Sequence, residues 1–239
     1  MHAVILAAGV GRRLRPLTEH TPKPMLRIAG KPLLEHNVRL LRRYGITDLI
    51  INSHHCPESI ENYFGDGSEF GVKIAYSREP ELLGTAGALR PLQKVLTSAF
   101  MVLYGDNLTT CNLRALAEFH RSKHGVATLA VFNRENPTAV GILSMDADDR
   151  IVRFLEKPNR DEIFSSWVNA GIMVCEPAVF QAIPPGFSDF GKDIIPALLL
   201  ARQAIFAYRM DGKSERLWWI DSPEDYERTN VETQQWVVR

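Results

Sequence analysis

Between Leu6 and Pro24 the chain reads Leu-Ala-Ala-Gly-Val-Gly-Arg-Arg-Leu-Arg-Pro-Leu-Thr-Glu-His-Thr-Pro-Lys-Pro. Gly9 and Gly11 permit backbone conformations and close approaches that a side chain would block. Successive backbone N–H groups in such a loop form a concavity that binds anions. Arg12, Arg13, Arg15 and Lys23 add fixed positive charge within a few residues. A plain surface turn with scattered basic residues is the alternative, but that density of charge suits a polyphosphate better. The stretch lacks the Gly-Lys-Ser/Thr ending of a P-loop and the third glycine of a dinucleotide fingerprint, so neither motif describes it.

Other residue types in the chain could complete such a site. Asp106 follows the apolar run Ala99 to Tyr104, where a carboxylate could hold a hard cation or simply form a turn. Asp221 follows Leu217 to Ile220 and offers the same chemistry, or the N-cap of a last helix, a role Ser222 could take instead. Glu79-Pro-Glu-Leu-Leu-Gly-Thr-Ala-Gly87 is a glycine-rich opening that could present backbone groups to a planar ring, or merely cap a helix. Glu156-Lys157-Pro158 ends a strand-like segment, and Asn169-Ala-Gly171 lies within another. His54, His55 and Cys56 are adjacent, which rarely aims three ligands at one ion, so they read as a solvent-facing loop.

The elements that must carry these residues follow from periodicity and punctuation. Ala3 to Leu6 predicts a buried first strand, and Leu33 to Tyr44 a helix, with Pro32 in its first turn and Gly45 at its end. Strands are expected at Leu49 to Ile51 and Val72 to Tyr76, with a short helix at Pro57 to Phe64 between them. Gly84 to Leu96 predicts a helix interrupted or begun near Pro91. The central strand Ala99 to Tyr104 places Asp106 just past its C-terminal end, where open α/β sheets bind ligands. Helical spacing from Leu113 to His124 and a strand from Val126 to Phe132 continue the alternation, so the first half reads as doubly wound. After Asn133 the pattern changes. Gly141 to Met145, Ile151 to Leu155 and Val168 to Cys175 are strand-like without intervening helices, which predicts an antiparallel or mixed extension. A helix near Lys192 to Arg202, strands Ile205 to Tyr208 and Leu217 to Ile220, and a helix from Pro223 onward follow.

Composition narrows the classes. The 239 residues include 28 basic and 28 acidic side chains, a formal net charge of zero that gives no bulk attraction to nucleic acid or an anionic membrane. Charge is uneven locally. Residues 1 to 34 carry six basic side chains against Glu19 alone, whereas residues 220 to 232 carry five acids against Arg228. Cys56, Cys111 and Cys175 are too far apart for a metal or redox motif, and suggest free thiols in a reducing cytoplasm. No apolar run approaches a membrane span, and the first strand begins too near Met1 to leave room for a signal peptide. No linker divides the chain, so residues 1–239 are expected to form one domain, with the pattern changing after about 132.

The opening stretch resembles the signature of the sugar-1-phosphate nucleotidyltransferases. Gly9, Gly11, Arg13, Leu14, Pro16, Leu17, Thr18, Pro22, Lys23 and Pro24 occupy the matching places. The resemblance covers essentially the whole chain and is closest to mannose-1-phosphate guanylyltransferases, whose Pro-Leu-Gly-Thr-Ala-Gly loop is matched here with Leu82 in place of the proline. It implies a Rossmann-like mixed α/β sheet flanked by helices, with a small antiparallel extension, in a cytoplasmic enzyme. The implied reaction joins a nucleoside triphosphate to a sugar 1-phosphate, releases pyrophosphate and uses Mg²⁺, with GTP and mannose 1-phosphate as first choice. Heptose 1-phosphate guanylylation, and uridylyl, thymidylyl, adenylyl or cytidylyl transfer, are the neighbouring alternatives. A nucleotide sensor without turnover is the non-enzymatic one, and a homo-oligomer is left open.

Carried over residue by residue, the resemblance gives nucleotide binding to Leu6, Ala7, Ala8, Gly9, Gly11, Arg13, Lys23, Gly84, Thr85 and Asp106. Arg13 and Lys23 are its catalytic charges, and Asp106 and Asp221 its metal ligands. Gly141, Glu156, Lys157, Asn169 and Gly171 are its sugar-phosphate side. Ala139-Val140-Gly141 stands where relatives often have Lys-Tyr-Gly, which implies an altered acceptor pocket.

Overall fold

A computed structural model describes residues 1–234. The strands used below are β1 (His2–Leu6), β2 (Asp48–Ser53), β3 (Lys73–Arg78), β4 (Phe100–Tyr104), β5 (Asn107–Thr109), β6 (Ala127–Asn133), β7 (Ile142–Met145), β8 (Ile151–Leu155), β9 (Trp167–Cys175), β10 (Ile205–Arg209) and β11 (Leu217–Trp219). The helices are α1 (Leu33–Arg43), α2 (Pro57–Phe64), α3 (Leu113–Lys123), α4 (Ile195–Leu200) and α5 (Pro223–Thr233). The described residues fall into two compact units that interleave along the chain. The first unit comprises residues 2–82, 103–110 and those from 216 on; the second comprises Met1, 83–102 and 111–215.

In the first unit β1, β2 and β3 lie parallel and in sequence order, with Ala3 opposite Leu49 and Ile50 opposite Ala75. Parallel neighbours need a crossover segment, which α1 and α2 supply. Strands β1 and β2 read as continuous buried apolar runs, as strands covered on both faces do, whereas β3 (Lys73–Arg78) buries only Ile74. Ala3, Val4, Ile5, Leu49, Ile50 and Ile51 are all buried. In α1 the buried positions Leu33, Leu34, Val38 and Leu41 form one stripe. Pro32 sits at its N-cap rather than in its first turn, and Gly45, at φ 75°, turns the chain where a Cβ would be strained. Leu14, Leu26, Ile28, Ala29, Leu33, Leu108 and Ile220 form a separate apolar cluster, covered by Trp218 and Tyr226. That cluster anchors the basic stretch to β5 and to the end of β11.

The second unit contains the expected antiparallel extension. Strand β9 runs antiparallel to β6 and touches β7 at Val168–Ile142, β7 pairs antiparallel with β8, and β10 joins β6 in parallel. The register of β9 slips between Asn169 and Met173, a bulge around Gly171, whose φ of 72° favours glycine. Helix α3 buries Leu113, Leu116 and His120 against this sheet.

Two expected helices differ from the structure. Gly84 to Leu96 holds only a single turn, Gly84–Gly87, and a 3₁₀ turn, Arg90–Leu92. Two glycines and Pro91 make that segment a poor helix interior. The segment read as Lys192 to Arg202 starts two residues earlier, in a π-turn (Phe190–Ile194) capped by Asp189, and then becomes α4. Among the described residues no helix is long and apolar enough to cross a membrane.

Candidate functional site

The basic loop leaves the C-terminal end of β1. Its first turn is fixed by Asn52 at the end of β2, whose Oδ1 accepts the Ala7 N–H at 2.6 Å. Asn52 in turn donates to the buried Glu79 carboxylate at 2.6 Å. Gly11 has φ 64°, and a Cβ there would stand 3.0 Å from the Lys23 Cβ, so the loop closes on Lys23 only without a side chain. The Thr18 hydroxyl donates to the Gly11 carbonyl at 2.8 Å and locks the return.

Asp106 reaches the same place through Gly105, whose N–H donates to the Leu6 carbonyl at 2.8 Å. A Cβ on Gly105 would lie 2.9 Å from that carbonyl oxygen, so the approach requires glycine. Asp221 arrives through an antiparallel ribbon. Asn107 of β5 faces Trp219 of β11, so Asp106 precedes the ribbon where Asp221 follows it. Two acids far apart in sequence therefore leave the same end of one two-stranded sheet.

Four charged side chains meet there. Lys23 Nζ donates to Asp106 Oδ2 at 2.8 Å and to Asp221 Oδ1 at 3.0 Å, and Arg13 Nη2 lies 3.1 Å from Asp221 Oδ1. Lys23 is 5% exposed. Burial alone would lower its pKa, but the Asp106 and Asp221 carboxylates outweigh that and hold it above the ordinary lysine value. The helix-cap alternative for Asp221 is answered by Ser222, which takes the Asp225 N–H at 3.1 Å and caps α5. Among the described residues no group of three or more His, Cys, Asp or Glu side chains could hold a metal ion. The acidic pair is nonetheless suited to a hard cation: its donors are carboxylate oxygens, they converge on one cationic atom, and both side chains are partly exposed.

His54 and His55 lie in a loop, as expected, but are only partly open to solvent. Both are half-buried; His54 Nδ1 pairs with the Glu79 carbonyl at 2.8 Å and His55 Nε2 with the Thr18 carbonyl at 3.2 Å. An imidazole can bridge loops through one N–H, and no local pattern marks the carbonyl waiting for each.

The remaining sequence-derived residues lie in the second unit. Val140 accepts the Lys157 N–H at 3.3 Å, and Gly141 accepts the Asn169 N–H at 2.9 Å. Asn169 Oδ1 accepts the Gly171 N–H at 3.0 Å within the β9 bulge. A Cβ at Gly141 would collide with the Phe154 ring and stand 2.6 Å from Glu156 Oε2, so ring and carboxylate together occupy the space glycine leaves. Burial, then the nearby Asp189, hold the Glu156 pKa above the usual carboxylate range, against the pull of Lys157 and Lys192. Gly141, Glu156, Lys157, Asn169 and Gly171 thus form one neighbourhood. Gly84 and Thr85 begin the short turn before it, where the Thr85 hydroxyl donates to Asp189 Oδ2 at 2.9 Å. Asn52, Glu79, Asp189 and Gly191 were not singled out as site residues from sequence. A lone polar residue ending an apolar strand, as in Leu49-Ile-Ile-Asn52, is the one signal that could have marked Asn52.

The nucleotidyl transferase family profile matches residues 2–235. A UTP--glucose-1-phosphate uridylyltransferase from Synechocystis is 37% identical over 92% of this chain and 60% of its own length. A mannose-1-phosphate guanylyltransferase from Mycobacterium tuberculosis is 37% identical over 96% of this chain and 64% of its own length. The chain therefore spans about three fifths of the length of these relatives. A crystal structure of UDP-glucose pyrophosphorylase superposes with a TM-score of 0.84 at 19% identity, covering 98% of both chains, which shows a shared fold.

Proposed function

This chain belongs to the nucleotidyl transferase family, and from that premise we propose that it transfers a nucleotidyl group from a nucleoside triphosphate to a sugar 1-phosphate. The observation that carries the reading is the Lys23–Asp106–Asp221–Arg13 cluster at the mouth of the glycine loop. The loop from Leu6 to Gly11 cradles phosphates with backbone N–H groups. Lys23 and Arg13 neutralise the charge that builds as a sugar-phosphate oxygen attacks the α-phosphorus in line and pyrophosphate leaves. No protein nucleophile is needed; the chain contributes orientation and charge.

Asp106 and Asp221 would hold Mg²⁺, which when bound supplies charge neutralisation at phosphate oxygens. Gly84 and Thr85 belong to the nucleotide side. On the acceptor side Lys157 pairs with the sugar's phosphate, while Glu156 and Asn169 take hydroxyls and Gly141 and Gly171 let backbone pass close to the ring. GTP with mannose 1-phosphate is the preferred pair, supported by Leu83-Gly-Thr-Ala-Gly87 and by the M. tuberculosis relative. The equal identity of the uridylyltransferase from Synechocystis supports UTP with glucose 1-phosphate as the second reading.

The test is pyrophosphate release across five nucleoside triphosphates and a panel of sugar 1-phosphates with Mg²⁺. Fastest release with GTP and mannose 1-phosphate is expected. Preference for UTP and glucose 1-phosphate would move the assignment to the second reading, and no release from any pair would overturn the activity.

A further inference from the structure

The Asp189–Asp193 segment has no part in the reaction described above, yet it touches both substrate-side groups of the second unit. Asp189 spends each carboxylate oxygen on a different element. Oδ2 accepts the Thr85 hydroxyl at 2.9 Å, and Oδ1 accepts the Gly191 and Lys192 N–H groups at 2.9 and 3.1 Å. Thr85 is engaged in return, because its Oγ1 also accepts the Phe190 N–H at 2.8 Å. The neighbouring backbone repeats the attachment. The Ser188 carbonyl accepts the Ala86 and Gly87 N–H groups at 3.0 and 3.1 Å, and the Ser188 N–H donates to the Leu83 carbonyl at 2.9 Å. Cβ atoms at Gly84 and Gly87 would collide with the Ser188 and Gly186 carbonyl oxygens, so the Gly84–Gly87 turn sits directly on the 186–190 backbone.

The other side of the segment meets Glu156. A Cβ at Gly191 would lie inside contact distance of Glu156 Oε2, as would one at Gly141. Glu156 is therefore clasped between two glycines, and Gly191 is held by Asp189. A continuous path of hydrogen bonds and close contacts runs from Thr85 through Asp189 and Gly191 to Glu156.

We propose that Asp189 is a positioning residue that couples the Gly84–Gly87 turn to the Glu156 carboxylate, fixing the nucleotide-side loop and the sugar-side acceptor in one register. This rests on the reading of Thr85 as nucleotide-side and Glu156 as sugar-side. A carboxylate does this better than a hydroxyl or a backbone group, because it accepts from both directions at once. Groups in one hydrogen-bond network give non-additive effects when substituted, whereas independent groups add.

The experiment measures KM for each substrate and kcat in Thr85→Val, Asp189→Ala, Asp189→Asn and Thr85→Val/Asp189→Ala, with thermal melts alongside. Thr85→Val removes a hydroxyl on the nucleotide side, yet it should raise KM for the sugar 1-phosphate about threefold to tenfold, an effect of the size one networked hydrogen bond supports. Asp189→Ala should raise both KM values on the order of tenfold, and adding Thr85→Val to it should change sugar KM less than about twofold. Asp189→Asn keeps the acceptor for Gly191 and Lys192 and should recover part of the loss. A sugar KM unchanged in Thr85→Val overturns the coupling even if Asp189→Ala does not fold. So do additive effects in the double variant. An inactive wild-type protein would instead overturn the transferase reading on which the coupling rests.

Discussion

The two units hold their candidate residues by different physics. In the first, four charged groups from the basic loop, the end of β4 and the end of β11 converge, and Lys23 is retained by attraction to two carboxylates. In the second, the Glu156 neighbourhood is defined by what is missing: Gly141 and Gly191 leave the space that the carboxylate fills. The first arrangement tolerates small shifts but not loss of charge. The second is expected to respond to added volume more than to a change of charge. Substitutions that alter only charge, or only volume, therefore separate the two.

The largest effect is expected where charge is removed. Lys23→Ala should lower turnover on the order of 10²–10³, and it also leaves Asp106 and Asp221 without their shared cation. Asp106→Asn and Asp221→Asn keep volume and should both lose most turnover and require more Mg²⁺, measured as pyrophosphate release against metal concentration. Wild-type kinetics in Lys23→Ala, or an unchanged Mg²⁺ requirement in both Asn variants, would show that the cluster is only a structural tie.

Volume is the corresponding probe in the second unit. Gly141→Ala should displace the Phe154 ring and the Glu156 carboxylate together and raise KM for the sugar 1-phosphate about tenfold to hundredfold, the scale of an ångström misplacement. Nucleotide KM should move far less. If Gly141→Ala left sugar KM untouched, the close fit at Glu156 would have no bearing on the acceptor. A smaller change, about tenfold in sugar KM, is expected for Lys157→Ala, which removes one charged contact to a phosphate. A collapse of nucleotide affinity alone would place Lys157 on the wrong side.

How much of this was legible in the sequence also divides by unit. The basic loop is local: an apolar run, two glycines and four basic side chains lie within the 21 residues from Ala3 to Lys23. The convergence of Asp106 with Asp221 is not local. It depends on the antiparallel register of β5 and β11, three residues each, too short for any periodicity to announce their pairing. The resemblance supplied that pair; the spacing alone left each acid as a turn or cap. In the second unit the order of short strands after Asn133 was readable from alternating apolar segments and turns. The seam from Thr85 to Glu156 was not, because its determinants are carbonyls and absent Cβ atoms on segments about a hundred residues apart. The Ser188 carbonyl only satisfies N–H groups at the start of the Gly84–Gly87 turn, which a longer helix would also leave open; the turn's failure to continue to Leu96 belongs to the two glycines and Pro91.

The smallest expected effect concerns acid stability, and it asks whether neutral groups in the second unit matter as charged ones do in the first. His120 of α3 is 1% exposed, its Nδ1 paired with Thr128 Oγ1 at 2.8 Å and its Nε2 3.3 Å from Glu176 Oε1. Burial lowers its pKa and outweighs the opposing pull of Glu176, so the folded imidazole stays neutral to lower pH than an unfolded one. Below the unfolded value of about 6.5 the unfolded chain therefore binds the proton first, and stability contributed by the neutral ring falls as pH falls through that value. Above it that contribution is fully present. His120→Gln removes the titration while leaving one hydrogen-bonding amide, so it should lower stability at pH 7.5 yet make the decline toward pH 5 shallower. Chemical denaturation of both proteins across that range measures the difference in slope. Parallel declines would mean that His120 does not titrate differently on folding, and acid sensitivity would then belong to other groups, among them His36 of α1, whose pKa burial also lowers.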